Sequence, residues 1–286
     1  MLSYRHSFHA GNFADVIKHI VIVECLEYLT KKDKTFEYID SHAGAGLFNL
    51  ESEHATKLQE YTNGIGKLLT EDWAEDWPEL AGYLAIIQSF NEAFNETGSL
   101  DFYTGSPVIA QYLLRSQDKA WLYELHPADF ELLQNNIGRD RRIRVRQEDG
   151  FKGMLSLLPP LSRRGFVLID PPYEIKTDYD MAFTTVSLAH KKFATGTYAI
   201  WYPVVDRQRI VQLENKFINS GIKNIQRFEL GLTADSEQRG MTASGMIVIN
   251  PPWTLMAKMS QLLPRLVDTL GEDEGAFYKA DVLVGE

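Results

Sequence analysis

Residues 166–173 read Phe-Val-Leu-Ile-Asp-Pro-Pro-Tyr, and this octapeptide limits the possible folds more than any other stretch. An apolar run closed by prolines suits a strand buried on both faces, as in a parallel sheet covered by helices. Neither proline can donate a ladder hydrogen bond, so the chain must leave the sheet there. A carboxylate (Asp170), two rigid backbone carbonyls and the Tyr173 ring are thus delivered to a strand's C-terminal end. In open α/β sheets ligands sit at that edge.

The rest of the chain supplies such a sheet. Asn12 has the character of an N-cap, with Asp15 in the first turn and apolar Val16, Ile20, Val23 and Leu26 following, so a helix is expected over 12–31. Thr35 to Ile39 reads as a first strand ending at Asp40. Further strands are expected at Ala120–Leu125, Ile143–Glu148, Gly165–Asp170, Thr197–Tyr202, Asn224–Leu232 and Gly245–Asn250. Helical or loop segments separate most of them, which implies a largely parallel seven-stranded sheet with right-handed crossovers and helices on both faces. Residues 49–100 break this rhythm. They are rich in helix formers and carry apolar anchors such as Tyr61, Trp73, Trp77 and Tyr83, so they read as a helical insertion and not a disordered linker. One domain over 1–286 with an insertion at 49–100 is the economical organisation.

Charge alone does not choose a partner. The net charge is −10, but residues 51–100 hold ten acids against two lysines and account for −8 of it. The remaining chain is nearly neutral and contains compact basic stretches that could face phosphates. Arg139 to Arg146 is the densest, yet it alternates charged and apolar residues along what should be an outer strand, where charge guards against edge-to-edge pairing. The single cysteine, Cys25, excludes an internal disulfide framework and a cysteine zinc site, and belongs to the core. Of the seven histidines, no pair has helical spacing beside a third ligand, so no metal is expected. No apolar run approaches bilayer length and the start lacks the order of a signal peptide; a cytosolic protein is expected.

Acids recur at successive strand ends. Asp40 leads into Ser41-His42-Ala43-Gly44-Ala45-Gly46, read as a strand–glycine–helix junction whose backbone amides can approach a ligand. Glu124 ends the next strand, where a carboxylate can accept both ribose hydroxyls of a nucleoside, and Asp149-Gly150 ends the one after. Glu124 lies about eighty residues beyond the glycines against about twenty in a dinucleotide-binding unit, an excess that the insertion explains. Each acid alone is more often a solvated strand end; the series favours a nucleoside cofactor.

With Asp170 to Tyr173, the series resembles the class I S-adenosylmethionine-dependent methyltransferases, in a Rossmann-like fold. Leu2 to Asn12, Ser41 to Gly46, Gly105-Ser106-Pro107, Glu124 to Pro127, Asp170 to Glu174, Trp201-Tyr202-Pro203 and Arg239 to Gly245 are similar to the RlmJ family. That resemblance implies a 23S rRNA (adenine(2030)-N6)-methyltransferase acting on an adenine-containing stem-loop, as a monomer with S-adenosyl-L-methionine. On the same basis Lys18, His19, His42, Gly44, Gly46, Ser106, Glu124, Asp149, Gly150 and Asp170 would surround the cofactor. Asp170, Pro171 and Tyr173 would hold the flipped adenine, and Tyr4 and Arg5 would meet the RNA. His6, His9, Lys18, Arg163, Arg164 and Arg239 are further candidates for phosphate. Taken alone, His19 reads as a half-buried helix histidine with one hydrogen bond. Three other readings stand beside this one: the same chemistry on DNA, or a role in the use of external DNA; a non-catalytic RNA-binding assembly factor; and a nicotinamide-dependent oxidoreductase, which the incomplete glycine fingerprint disfavours.

Overall fold

The computed structural model describes residues 6–94, 99–236 and 240–286. Among the described residues there are ten strands: β1 (Glu37–Asp40), β2 (Leu47–Asn49), β3 (Phe102–Thr104), β4 (Lys119–Tyr123), β5 (Ile143–Arg146), β6 (Gly165–Ile169), β7 (Thr197–Val204), β8 (Ile225–Gly231), β9 (Ala243–Ile249) and β10 (Phe277–Val284). Eight form one sheet in the order β10-β8-β9-β7-β6-β1-β4-β5. β5, β4, β1, β6 and β7 are parallel, whereas β9 lies antiparallel between β7 and β8. Alternation within β6 divides the core between the two faces. Phe166 and Leu168 join one apolar cluster, Val167 and Ile169 the other.

Two expectations need correction. Among the described residues the sheet has eight strands and not seven, because β10 pairs antiparallel with β8 at the margin. That segment, Phe-Tyr-Lys-Ala-Asp-Val-Leu-Val, is nowhere fully buried, so it lacks the apolar run that marks an interior strand. Its charges meet β8 instead: Lys279 pairs with Glu229 at 2.9 Å and Asp281 with Arg227. The second correction concerns the glycine loop, which does not enter a helix. Gly44 and Gly46 take φ of +60° and +77° and lead into β2, which pairs antiparallel with β3. Only after β3 does the expected helix begin, at Ser106–Leu113. The segment at 49–100 therefore splits the glycine loop from its helix. It carries helices Glu53–Leu58, Trp73–Asp76 and Ala81–Phe94, and Leu50, Ile65, Leu68, Leu84 and Ile87 sink into the same core as the N-terminal helix.

That first helix, Phe13–Thr30, starts where expected because the Asn12 side-chain oxygen accepts the amides of Ala14 and Asp15 at 3.0 and 3.1 Å. The Asn12 amide also donates to Glu60 at 2.9 Å, which ties the cap to the inserted segment. Asn12→Ala should lower the urea midpoint by an amount equivalent to about 1 kcal/mol; an unchanged midpoint would show that the cap is dispensable. β5 is the outermost strand, with Arg144 and Arg146 exposed and Ile143 buried, in keeping with a guarded edge. No helix among the described residues is long and apolar enough to cross a membrane.

Candidate active site

Because β5, β4, β1 and β6 are parallel neighbours, their last residues share one edge. Asp149, Glu124, Asp40 and Asp170 stand there in that order. A cavity of about 400 Å³ opens along the edge, lined in part by Lys18, His19, His42, Gly44, Ser106, Glu124, Asp149, Gly150, Asp170 and Pro171. Gly46 is the exception among the expected cofactor residues. A Cβ there would meet Leu133 at 3.0 Å, and its carbonyl accepts the Gly105 amide at 2.8 Å. Gly46 returns the chain; it does not face the cavity.

The loop is held from two sides. Glu124 accepts the Gly44 amide at 2.8 Å on one oxygen and the His126 amide at 2.7 Å on the other. Each oxygen keeps further acceptor capacity. On the opposite side, a Cβ at Gly150 would lie 1.7 Å from the Ser41 carbonyl oxygen, so the helix Gly150–Leu157 begins hard against the loop. Asp149 caps that helix through the Lys152 amide at 3.3 Å.

Below the loop lies a buried polar layer. Asp40 is fully enclosed and accepts the hydroxyls of Tyr38 at 2.8 Å and Ser106 at 2.7 Å. Burial pushes its carboxyl up to about 6, with the Ser106 and Tyr38 hydrogen bonds pulling the other way. His19 is 1% exposed and its Nδ1 meets the Tyr103 hydroxyl at 2.6 Å, which in turn meets the Tyr83 hydroxyl at 2.9 Å. The single hydrogen bond expected for a helix histidine is therefore there, and His19 borders the cavity as well. Burial pushes its pKa down to about 3, so the ring is neutral. His42 pairs with Ser41 Oγ at 2.8 Å, abuts Phe151 edge-on, and is pushed by burial to about 4.

These shifts oppose one another in a definite way. On unfolding, both histidines take up protons below about pH 6.5, whereas Asp40 releases the proton it retains when folded. Between about pH 6 and 4 each neutral histidine therefore lowers stability on acidification, and Asp40 opposes them. Urea midpoints measured across that range should lose more on acidification in the wild type than in His19→Gln. An identical pH dependence in the two proteins would contradict a neutral, buried His19.

Asp170 stands where the cavity meets the N-terminal helix. Its Oδ2 accepts from Lys18 Nζ at 2.8 Å, and Lys18 also pairs with Asp15 at 2.9 Å. Burial works against the Lys18 charge, but Asp15 and Asp170 outweigh it and hold the ammonium above its ordinary range. Asp15 is itself held well below the usual carboxylate range: burial opposes this, and His6 at 2.8 Å together with Lys18 overcomes it. A second cavity of about 370 Å³ adjoins the first, sharing His6, Pro172, Glu174 and Trp201 with it. Tyr173 lines this second cavity and not the first. Its φ of +52° places it in the left-handed region, a conformation costly for a side-chain-bearing residue and common at functional sites. Its hydroxyl donates to the Trp201 carbonyl at 2.6 Å, and its ring packs 4.4 Å from Tyr179 and 5.8 Å from Trp201.

Several expected phosphate contacts are engaged elsewhere. His6 bonds Asp15, His9 bonds Glu60 at 3.0 Å, and Lys18 is buried within the carboxylate cluster. Arg163 and Arg164 precede β6 at the opposite edge of the sheet, where Arg164 donates to the Leu29 and Lys34 carbonyls. Tyr4, Arg5 and Arg239 lie outside the described residues. Trp201 was missed as a site residue although it sits between the cavities, 5.6 Å above Lys18 Nζ, with its indole donating to Ser244 at 2.7 Å. Tyr103 was missed because its partner His19 is 84 residues away in sequence.

Five adjacent parallel strands with the inverted strand β9 beside β7, a glycine-bent loop and acids at successive strand ends define a class I S-adenosylmethionine-dependent methyltransferase. The donor set fits that cofactor: a Cβ at Gly44 would meet only Phe48, at 4.0 Å, so this backbone borders open cavity beside the Glu124 carboxylate. The family model described as "Ribosomal RNA large subunit methyltransferase D, RlmJ" matches residues 33–283. Two proteins named ribosomal RNA large subunit methyltransferase J are similar to the chain: one from Haemophilus influenzae, 51% identical over 94% of each chain, and one from Escherichia coli, 51% identical over 93% of each. The crystal structure of a Legionella pneumophila protein has a TM-score of 0.87 at 36% identity, covering 96% of this chain and 98% of that one. The chain belongs to the RlmJ family.

Proposed function

We propose that this protein methylates the N6 amine of an adenine in 23S ribosomal RNA, with adenine 2030 the position that the family resemblance implies. The observation that carries the reading is the run of the motif from one cavity to the next: Asp170 and Pro171 line the first, Pro172 lines both, and Tyr173 lines the second. One has the glycine loop and acids suited to S-adenosylmethionine; the other has the Tyr173, Tyr179 and Trp201 rings. When bound, the cofactor supplies a methyl group on a positively charged sulfur.

An adenine amine is a poor nucleophile because its lone pair is delocalised into the ring. Asp170 and the Pro171 carbonyl, each accepting one N–H, favour a pyramidal nitrogen with its lone pair free. Positive charge grows on that nitrogen during attack. At 4 Å a carboxylate stabilises it by about 4 kcal/mol with an effective dielectric near 20. Lys18 works against this, but Asp15, Lys18 and Asp170 together keep one net negative charge. Asp170 or water then takes the released proton. Extracting the base from its stack costs a few kcal/mol, and stacking in the aromatic cavity returns about 1–3 kcal/mol.

The test is transfer of labelled methyl to protein-free large-subunit RNA, to the same RNA with the target adenine replaced, and to duplex DNA. Label in the first alone is the expected result. Preferential labelling of DNA would reverse the assignment of substrate.

A further inference from the structure

The sheet's other edge carries the N-terminal ends of its parallel strands, and the loops there are stitched together. Arg115 donates to the Thr30 and Lys32 carbonyls at 3.0 and 2.7 Å, and Arg164 to the Leu29 carbonyl at 2.9 Å. The Asn250 side chain holds the carbonyls of Ala194 and Gly196 at 2.8 Å, and its backbone amide reaches Asn224 at 2.9 Å. On these loops and the last turn of the helix Asp178–Lys192, Lys32, Lys34, Arg163, Lys191, Lys192 and Lys223 are exposed; none forms an ion pair among the described residues, and Lys192 Nζ donates to the Leu155 carbonyl at 2.8 Å. Exposed Lys119, Arg139 and Arg141 extend the set towards β4 and β5. The acids nearby do not balance them. Asp118 is buried against Arg115 and Asp140 is taken by Arg142, which leaves exposed Asp33 and the terminal Glu286. Trp253, 79% exposed, follows Asn250 on the same edge.

In a chain of net charge −10, gathering unpaired cations on one edge costs self-repulsion that surplus acids could have relieved. Phosphates would relieve it, and an exposed indole among cations is a platform for an unpaired base. We propose that this edge is a second RNA-binding face, which holds a part of the large-subunit RNA other than the segment that presents the target adenine. The proposal rests on the reading of RNA as substrate.

Two triple variants test it: Lys191→Glu with Lys192→Glu and Lys223→Glu, and Lys32→Glu with Lys34→Glu and Arg163→Glu. Binding of protein-free large-subunit RNA is titrated against salt, and methyl transfer is compared between that RNA and a short hairpin carrying the adenine. Either variant should weaken binding of the long RNA by roughly tenfold or more and flatten its salt slope by about two, with kcat/KM on the hairpin unchanged. Wild-type affinity and slope in both variants would overturn the proposal, as would an equal loss on the hairpin. If wild-type protein methylates neither RNA, the functional reading fails, and the binding titration still decides on the face.

Discussion

Asp170→Ala should lose methyl transfer by about a thousandfold or more while cofactor affinity stays within a few-fold of wild type. The size follows from the roughly 4 kcal/mol assigned to the carboxylate beside the developing ammonium, each 1.36 kcal/mol being a factor of ten. The asymmetry follows from placement: Asp170 lines the first cavity two residues before Pro172, which borders both cavities, whereas Gly44, Glu124 and Asp149 lie along the remaining strand ends. Lys18 keeps Asp15 as a partner at 2.9 Å, so the variant does not strand a buried ammonium. Single-turnover transfer and calorimetric binding of S-adenosylhomocysteine separate the two effects. Undiminished transfer would remove Asp170 from the reaction.

Gly150→Ala should cost the cofactor at least tenfold in affinity and lower the thermal midpoint. The added carbon would overlap the Ser41 carbonyl at 1.7 Å, and a backbone carbonyl in a tight loop cannot move aside like a flexible side chain. Over-packing of this kind typically costs 1–3 kcal/mol and occasionally more. Gly44→Ala is the contrast. It meets no atom closer than 4.0 Å but must adopt φ of +60°, a penalty of about 1–2 kcal/mol. Gly150→Ala binding like wild type would show that loop and helix do not jointly shape the cavity.

Local signals made much of this fold legible. The Asn12 cap, the apolar run into Asp170 and the acids after β4 and β5 depend on neighbouring residues, and each lies within a few residues of its expected place. Long-range pairing was less visible. β10 is amphipathic and earns its place through Glu229 and Arg227, some fifty residues earlier. β2 and β3 are three residues each and exist only because the chain returns to pair them. The same limit applies to the site. The residues on strand ends were readable, but the Lys18–Asp170 contact spans 152 positions, and the expectation that Lys18 meets phosphate gave way to a buried carboxylate cluster. Tyr173 was expected beside Asp170 on chemical grounds; its positive φ carries it into the neighbouring cavity.

The central claim is that Asp170-Pro171-Pro172 grips the amine of an adenine, and the product itself tests it. Large-subunit RNA methylated by the wild-type protein should be digested to nucleosides and resolved by mass spectrometry against standards. N6-methyladenosine as the sole new nucleoside is the predicted result. A methyl group on a ribose oxygen, a ring carbon or a ring nitrogen would contradict the account, because none of these presents the two N–H bonds of an exocyclic amine.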